Sequence, residues 1–506
     1  MQTLQIDTLY IFEARISIVV GSEQAELATS AAPFRVGIVG GGVAGATAAL
    51  KMAGLGIETL LFEAGDSLVS GPPICHLHAG GNLYREISDE QCIALLEQSI
   101  ATVRAYPDTV NRRPTVIAIP TSDAGEPDTI LKRLEQLTLH YKTLIEQDAD
   151  NEVLGHPEQY FTLYDKHDLA RLAQQSLPDN PQTPDDWLIP VAKYMPHDKF
   201  KFPLVVVQEY GLSVFRLAAT AALGLEQSQN CRVHLNNTIT QIEPLTEGWR
   251  IESTDRDGAS QVHDVDFVIN ACGFRTGKVD DLASFSRKRW VEYKAAYVAH
   301  WPSQPGMWPE VIVHGDRGTP QGMAQLTPYA NGFVQLHGMT HDITLFDGGL
   351  VASTEASAQP NLPQHMVAKA GGGWEWTEIR ERTERAISHF SQWLPEFEHA
   401  EVGGKPLCGA QQIPGEDPSL RAADATFEGE RYARVELVKA SSALQAADRI
   451  LAHCEQHGWI SLPAGWENPT LPLTVSLDSD AIVEKARRLA INRDYPDALA
   501  LPFPQQ

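Results

Sequence analysis

Cysteine is scarce in this chain. Six cysteines (Cys75, Cys92, Cys231, Cys272, Cys408 and Cys454) are scattered over 506 residues, and no two have CxxC spacing. That pattern excludes a disulfide framework and a thiolate zinc site, and it fits reduced thiols in a cytoplasm. Positive charge is also short: 40 Lys and Arg stand against 65 Asp and Glu, a formal net charge of -25. A nucleic-acid surface needs clustered cations, so no nucleic-acid partner is expected, although a small anion is admissible where a few arginines converge. Long apolar runs are missing too. The first 34 residues carry Asp7 and Glu13 among apolar neighbours and lack a basic leader, so neither a signal peptide nor a transmembrane segment is expected. A metal set is equally absent. Cys75-His76-Leu77-His78 has no second ligand cluster, and His337 and His341 are separated by Gly338 with no Glu after His337, so the sequence predicts no metal.

What the chain does contain is a nucleotide-binding pattern. Arg35 to Glu63 reads RVGIVGGGVAGATAALKMAGLGIETLLFE. Val36, Ile38 and Val39 suit a strand buried on both faces of a parallel sheet. Gly40 permits the tight reversal, Gly42 lets backbone approach a pyrophosphate, and Gly45 lets a helix pack on the strand. That helix, expected from Val43 to Ala53, aims the amides of its first residues, Val43 and Ala44 included, at phosphate. Gly54 and Gly56 stop it, Thr59 to Phe62 form a second strand, and Glu63 follows Gly40 by 23 positions, near the spacing at which an acid meets a ribose diol. An acid there with no arginine close behind it disfavours NADP and leaves FAD and NAD.

Further along, helices are expected after Ser88, from Thr129 to Asp148, after Ser213 and from Trp374 to Leu394. Pro114 to Pro120, Cys231 to Leu235, Thr238 to Ile242, Trp249 to Ser253 and Trp290 to Trp301 read as strands. Asn331-Gly332 marks a hairpin between Gln325 to Tyr329 and Phe333 to Leu336. Residues 151–201 are rich in Pro, Asp and aromatics without periodicity and read as an excursion, lid or surface insertion. The apolar strand ending Val268-Ile-Asn-Ala-Cys-Gly273 returns to the central sheet. A late segment, Lys439-Ala-Ser-Ser442, opens a helix through Ile450.

The glycine fingerprint, Glu63, the Gly80-Gly81 loop, the strand into Gly273 and the turn at Ser441-Ser442 fall in an order that resembles the D-amino-acid oxidase-like superfamily of FAD-dependent oxidoreductases. The resemblance implies an α/β fold: a Rossmann-like FAD-binding domain (34–110, 205–285 and 400–455) with a second mixed or antiparallel β-sheet substrate domain (111–204 and 286–399). Residues 1–33 and 456–506 would be extensions. It implies FAD as cofactor, with Gly40, Gly42, Val43, Ala44 and Gly45 at the pyrophosphate, Glu63 at the ribose, Gly80 and Gly81 beside the isoalloxazine, and Ala271 and Gly273 on the adenosine side. Amides at Ser441 and Ser442 would face flavin N1 and the C2 carbonyl. A more distant likeness, to malate:quinone oxidoreductase, rests on chain length and the run from Val205 to Ile242.

For chemistry, a substrate acid needs an arginine and a substrate proton needs a base. His78, in the loop expected over the flavin, is the candidate base and Arg85 the candidate catalytic partner, with His76 and Tyr84 nearby. Cys272 reads as a small turn residue, Cys408 as a thiol in a loop near the flavin, and Arg421, Arg431 and Arg434 as possible carboxylate partners. The expected function is oxidation of a small amine, amino acid or hydroxy acid by hydride transfer to flavin, with oxygen or a quinone as electron acceptor. The alternatives are a malate:quinone oxidoreductase-like dehydrogenase and a flavoprotein whose FAD is structural or directed at a partner.

Overall fold

The structure, a computed structural model, describes residues 33–71 and 87–504. Arg35–Val39 lies between two parallel partners, with Ile38 opposite Leu61 on one side and Ile269 on the other. Among the described residues this sheet has six strands, in the order Ala425–Phe427, Tyr432–Val435, Phe267–Asn270, Arg35–Val39, Glu58–Phe62 and Cys231–His234. Its pairs are parallel except the Ala425–Phe427 edge, which runs against Tyr432–Val435. The uninterrupted apolar runs follow from cover on both faces. Val36, Ile38, Leu61 and Ile269 pack under the helices Val43–Gly54, Val214–Glu226 and Ala443–Gln456. Val39, Leu60 and Val268 point the other way, onto Trp249 and Ile251 of a three-stranded antiparallel sheet (Asn237–Leu245, Gly248–Asp255 and Ser260–Val265).

The second large sheet holds ten strands among the described residues. Its path runs Leu350–Ala352, Arg289–His300, Phe333–Gly338, Ala324–Pro328, Glu310–Val313, Thr115–Pro120, Phe200–Val207 and Phe161–Tyr164, while Glu401–Val402 and Leu407–Pro414 also pair with the long Arg289–His300 strand. It is mixed, because Glu310–Val313 and Thr115–Pro120 are parallel and their neighbours antiparallel. The Asn-Gly hairpin forms as its sequence predicts, with Asn331 at φ 58° and Gln325 opposite His337. Residues 205–207 and 407–414, which sequence order groups with the first sheet, pair within this one.

One expectation is corrected here, and two segments that the sequence left without assigned elements contain them. Cys408 to Gln412 is strand rather than loop, because the backbone of Arg289–His300 supplies the ladder that Gly409-Ala410-Gln411-Gln412 gives no propensity for. The aperiodic 151–201 stretch contains the edge strand Phe161–Tyr164 and helices Lys166–Leu172 and Pro184–Tyr194, too short for periodicity to register but each started by a capping box, from Asp165 and from Thr183. The tail is structured as well. The helix Ser479–Asn492 buries Ile482, Ala486 and Ala490 against Phe215 and Ala219.

A buried ionic network ties the two sheets together. Asp280 accepts from Arg289 (2.5 Å), Arg434 (2.7 Å) and Tyr432 (2.9 Å), and Glu436 accepts from Arg289 at 3.0 Å, from Arg287 at 2.9 Å and from Thr426 at 2.9 Å. Asp280, Arg289, Arg434 and Glu436 are all at most 1% exposed.

Candidate functional site

The parallel strands of the first sheet end together at one cleft of about 950 Å³. Val39, Phe62, Asn270 and Val435 close four neighbouring strands, and the residues at or just beyond those ends (Gly40, Glu63, Ala271, Gly273, Val435 and Leu437) line it. Ligands of open α/β sheets bind at such carboxyl ends. Across the cleft stands the Leu407–Pro414 strand of the large sheet, which contributes Cys408 to Gln412.

The three fingerprint glycines differ in what surrounds them. Gly40 sits at φ 99°, and a Cβ there would lie 2.6 Å from the Ala271 carbonyl oxygen. A Cβ on Gly45 would come within 1.8 Å of the Gly40 carbonyl, which is why the helix can start so close to the strand. A Cβ on Gly42 would meet no protein atom within 4 Å; the space in front of it is the cleft. Gly42 is also the N-cap of Val43–Gly54, offers no side chain to the helix amides, and leads a first turn free of acids. The amide-bearing end is thus left to a ligand anion. Glu63 accepts from the Gly41 amide through Oε2 and from the Gly65 amide through Oε1, both at 2.7 Å, so each oxygen keeps further lone-pair capacity toward the cleft.

Gly40, Gly42, Val43, Ala44, Glu63, Ala271 and Gly273 all line the cleft, and Gly45 packs behind the turn. The late helix is offset from its expected role: Val438, Lys439 and Ala440 face the cleft, while the Ser442 hydroxyl donates to Gln98 (2.6 Å), its amide donates to the Lys439 carbonyl (3.2 Å), and the Ser441 carbonyl accepts from Thr102 (3.2 Å). His76, His78, Gly80, Gly81, Tyr84 and Arg85 lie outside the described residues. Cys272 sits in its turn with the thiol against the Val39 carbonyl at 3.3 Å, and burial pushes it up to about 12. Cys408 lies at the cleft wall, its sulfur 3.1 Å from the Trp374 indole nitrogen, and burial raises it as well. Arg434 is spent on Asp280 and Glu428, and Arg431 lies over the Trp459 ring, so neither joins the cleft. Asp165, His167 and Asp168 could offer metal-ligand atoms among the described residues, but Asp165 and His167 are exposed, Asp168 is half-buried, and Asp165 and Asp168 form the capping box of a helix.

The charge of the cleft opposes that of the chain. Arg275, Lys278, Lys369, Lys405, Lys439 and Arg493 line it against Glu63 and Asp66. Lys369 is answered by Glu378 at 2.7 Å, and Arg493 donates to the carbonyls of Leu68 and Val69.

A polar wall that sequence reading passed over runs along one face of the large sheet. Glu292 and Lys294 share this face with Gln335 and His337, with Gln325 and Thr327, and with Glu310 and His314. Gln335 and Thr327 are fully buried, Gln325 and Glu310 at 2% exposure nearly so, and Glu310 accepts from Arg113 (2.9 Å) and Gln325 (2.6 Å). The signal was present as alternation in AQLTP, FVQLHG and VEYK, but alternation by itself reads as a solvated face. Buried polar side chains in this number must be satisfied within the molecule.

Comparison with solved structures finds the same fold in several flavoenzymes. Glycine oxidase from Geobacillus kaustophilus aligns with a TM-score of 0.52 at 13% identity, over 88% of this chain and all of that one. L-proline dehydrogenase from P. horikoshii gives 0.53 at 14% identity over 86% and 97%. L-alpha-glycerophosphate oxidase from Mycoplasma pneumoniae, solved with FAD bound, gives 0.53 at 11% identity over 86% and 97%. No curated protein matches the sequence. A family model described as FAD dependent oxidoreductase matches residues 35–465. With the glycine turn, Glu63 and the paired sheets inside that span, the chain belongs to the D-amino-acid oxidase-like family of FAD-dependent oxidoreductases and is an enzyme that uses FAD.

Proposed function

We propose that this enzyme oxidises a small amine, amino acid or hydroxy acid by hydride transfer and passes the electrons to oxygen or a quinone-type acceptor. One observation carries the reading: the glycine turn and Glu63, at the carboxyl ends of the parallel strands, share a cleft with the Leu407–Pro414 strand of the polar-walled sheet. The cleft volume suits a large cofactor with a small substrate at one end. FAD, when bound, supplies the hydride acceptor.

In this reading Gly40, Gly42, Val43, Ala44 and Gly45 hold the pyrophosphate, because the open space before Gly42 and the uncapped helix start favour an anion. Glu63 takes ribose hydroxyls with the lone pairs left after Gly41 and Gly65, and Ala271 and Gly273 border the adenosine. Ser441 and Ser442 serve from behind: their bonds to Thr102 and Gln98 fix the Val438 to Ala440 segment that faces the cleft. Gly80, Gly81, His78 and Arg85 are assigned to the flavin and substrate side, His78 as base and Arg85 as partner of the substrate. Residues 34–110, 205–285 and 400–455 then serve mainly the cofactor, and 111–204 and 286–399 the substrate. What remains for these groups is to orient the substrate and settle its charge, the terms that a hydride transfer requires of a protein.

The test is the visible spectrum of purified protein before and after anaerobic addition of pooled amino acids, amines and hydroxy acids, malate included. Flavin absorbance that bleaches with one pool supports the reading. Flavin bands that no pool bleaches would sink the small-molecule oxidation and favour a structural or partner-directed FAD.

A further inference from the structure

The C-terminal tail, which the sequence reads as an extension, returns to the cleft. It first crosses the helices Val43–Gly54 and Val214–Glu226. Lys51, 1% exposed, donates to the Asn468 carbonyl at 2.8 Å, and a Cβ on Gly54 would lie 3.1 Å from the Pro472 ring. A Cβ on Gly224 would lie 3.1 Å from the Leu473 carbonyl oxygen. The helix Ser479–Asn492 then packs on Phe215 and Ala219, and Arg493 and Tyr495, just beyond its end, line the cleft. The Tyr495 ring lies 5.8 Å from that of Phe215, and its hydroxyl donates to the Pro406 carbonyl at 3.1 Å, so the tail is also fixed where the Leu407–Pro414 strand begins.

Arg493 spends its guanidinium on three successive residues of the loop after Glu63. Nη2 donates to the Ser67 hydroxyl at 3.2 Å and to the Leu68 carbonyl at 2.8 Å, and Nη1 donates to the Val69 carbonyl at 2.9 Å. That loop needs holding. Val69 is β-branched and sits at φ 52°, a left-handed backbone that such residues rarely adopt and that persists only where the surroundings over-determine it. The contacts come from two sides: the Val69 amide donates to the Gly41 carbonyl at 2.8 Å, and the Val69 carbonyl accepts from Arg493. Leu68 lies against the same glycine, its Cδ2 2.6 Å from where a Cβ on Gly41 would stand. Gly41 in turn donates its amide to Glu63 at 2.7 Å. A short chain of bonds therefore runs from the tail arginine to the middle of the glycine turn and on to the acid.

We propose that Arg493 is a positioning residue of the cofactor site and that the C-terminal tail is the strap that carries it there. Its guanidinium holds the 67–69 loop, and through the bond between Val69 and Gly41 it holds the turn and the Glu63 carboxylate in the arrangement that takes the adenosine half of FAD. The role is one of geometry, because a planar fork spans three oxygens at once and an ammonium on a flexible stem does not. It goes beyond the proposed oxidation and rests only on the nucleotide lying against Gly42 and Glu63.

The test is the rate at which FAD leaves the loaded full-length protein on dilution, followed by the rise in flavin fluorescence, with hydrogen exchange of the same samples. Arg493→Met should release FAD about tenfold faster, the usual weight of hydrogen bonds to a charged group, while the visible spectrum of the bound flavin stays as in wild type. The Val69 amide should exchange about tenfold faster in R493M, and the amides of residues 486–490 should keep their rates. Arg493→Lys should release FAD nearly as fast as R493M, and it carries the test if R493M folds poorly. Arg487→Gln is the control, since Arg487 sits on the same tail helix and donates to Asp497 at 2.8 Å, away from the cleft; its release rate should not change. Wild-type retention in R493K would mean that charge alone suffices, and would overturn the proposal. So would equal loss in R487Q, or a Val69 amide that exchanges no faster. A Gly42→Val variant that holds FAD as firmly as wild type would sink the placing of the nucleotide and the proposal with it. Loss of FAD in G42V beside full retention in R493M would overturn the role of Arg493 alone.

Discussion

Gly42 and Gly45 stand three residues apart in one turn, and the same kind of substitution should do opposite things to them. Gly42→Val adds atoms only to the cleft, so the fold should keep its Tm while FAD retention drops by about a hundredfold, read as the flavin-to-protein absorbance ratio. Gly45→Ala drives a methyl into the Gly40 carbonyl and should cost about 3 kcal/mol of stability, visible in denaturant melts before any ligand is added. Both roles were legible in the letters, since a strand, a glycine turn and a helix leave little choice of geometry. A second residue-scale test concerns His234 and His263, whose rings lie 5.1 Å apart beside Phe62. Burial is the main reason both sit below the ordinary 6.5; His263 and Arg232 add to it at His234, and Arg232 and Arg35 at His263. The unfolded chain therefore binds protons that the folded chain refuses, so stability is full above pH 6.5 and is lost as pH falls through it. His263→Phe should flatten the fall in Tm between pH 7 and pH 5; an identical slope would remove the pair from the acid response.

At the scale of elements, the junction under the cleft depends on charges that no local pattern reveals. Asp280 comes from a short helix after Gly273, Arg289 from the long strand of the large sheet, and Arg434 and Glu436 from the last long strand of the first sheet and just beyond it. Removing one charge leaves the others buried without balance, so Asp280→Asn should cost about 3 kcal/mol and loosen Val435 to Ala440 at the cleft. The accompanying loss of FAD retention in D280N, rescued by no added salt, separates this from a surface effect. Sequence reading found Arg434 but not its work, because Asp280 is 154 positions away. It read Cys408 to Gln412 as loop for the same kind of reason: the partner that makes that segment a strand lies more than a hundred residues earlier. Elements whose signal is local, such as the Asn331-Gly332 hairpin and the helix capped by Ser88, formed where the letters put them.

Over the whole molecule, an acidic chain lines one cleft with cations. The net charge of the chain is -25, while Arg275, Lys278, Lys369, Lys405, Lys439 and Arg493 face one cleft. A field concentrated in this way should speed capture of an anionic cofactor. Rebinding of FAD to stripped protein should slow about tenfold between ~0.05 M and ~0.5 M salt as screening shortens the reach of those charges. A rate indifferent to salt would mean that the cleft cations act only in contact. No described helix is long and apolar enough to cross a membrane. The likeness to flavoenzymes at 11–14% identity holds for the fold alone, which is what so low an identity can carry.

The sequence by itself determined the nucleotide half, because a parallel strand, a turn that only glycine permits, a helix start and a terminal acid are neighbours in the chain and constrain one another through backbone sterics. Tertiary structure alone decided the character of the large mixed sheet. Alternation in Glu310 to His314, Ala324 to Thr327 and Phe333 to His337 states that polar side chains share a face, and nothing in it states whether that face meets water or the interior. Burial turns the same residues from a solvated edge into an interior polar face. Likewise Glu292 and Gln411 are ordinary polar residues in the chain; the bond from Gln411 to the Glu292 carboxylate exists only once the strands Arg289–His300 and Leu407–Pro414 are paired.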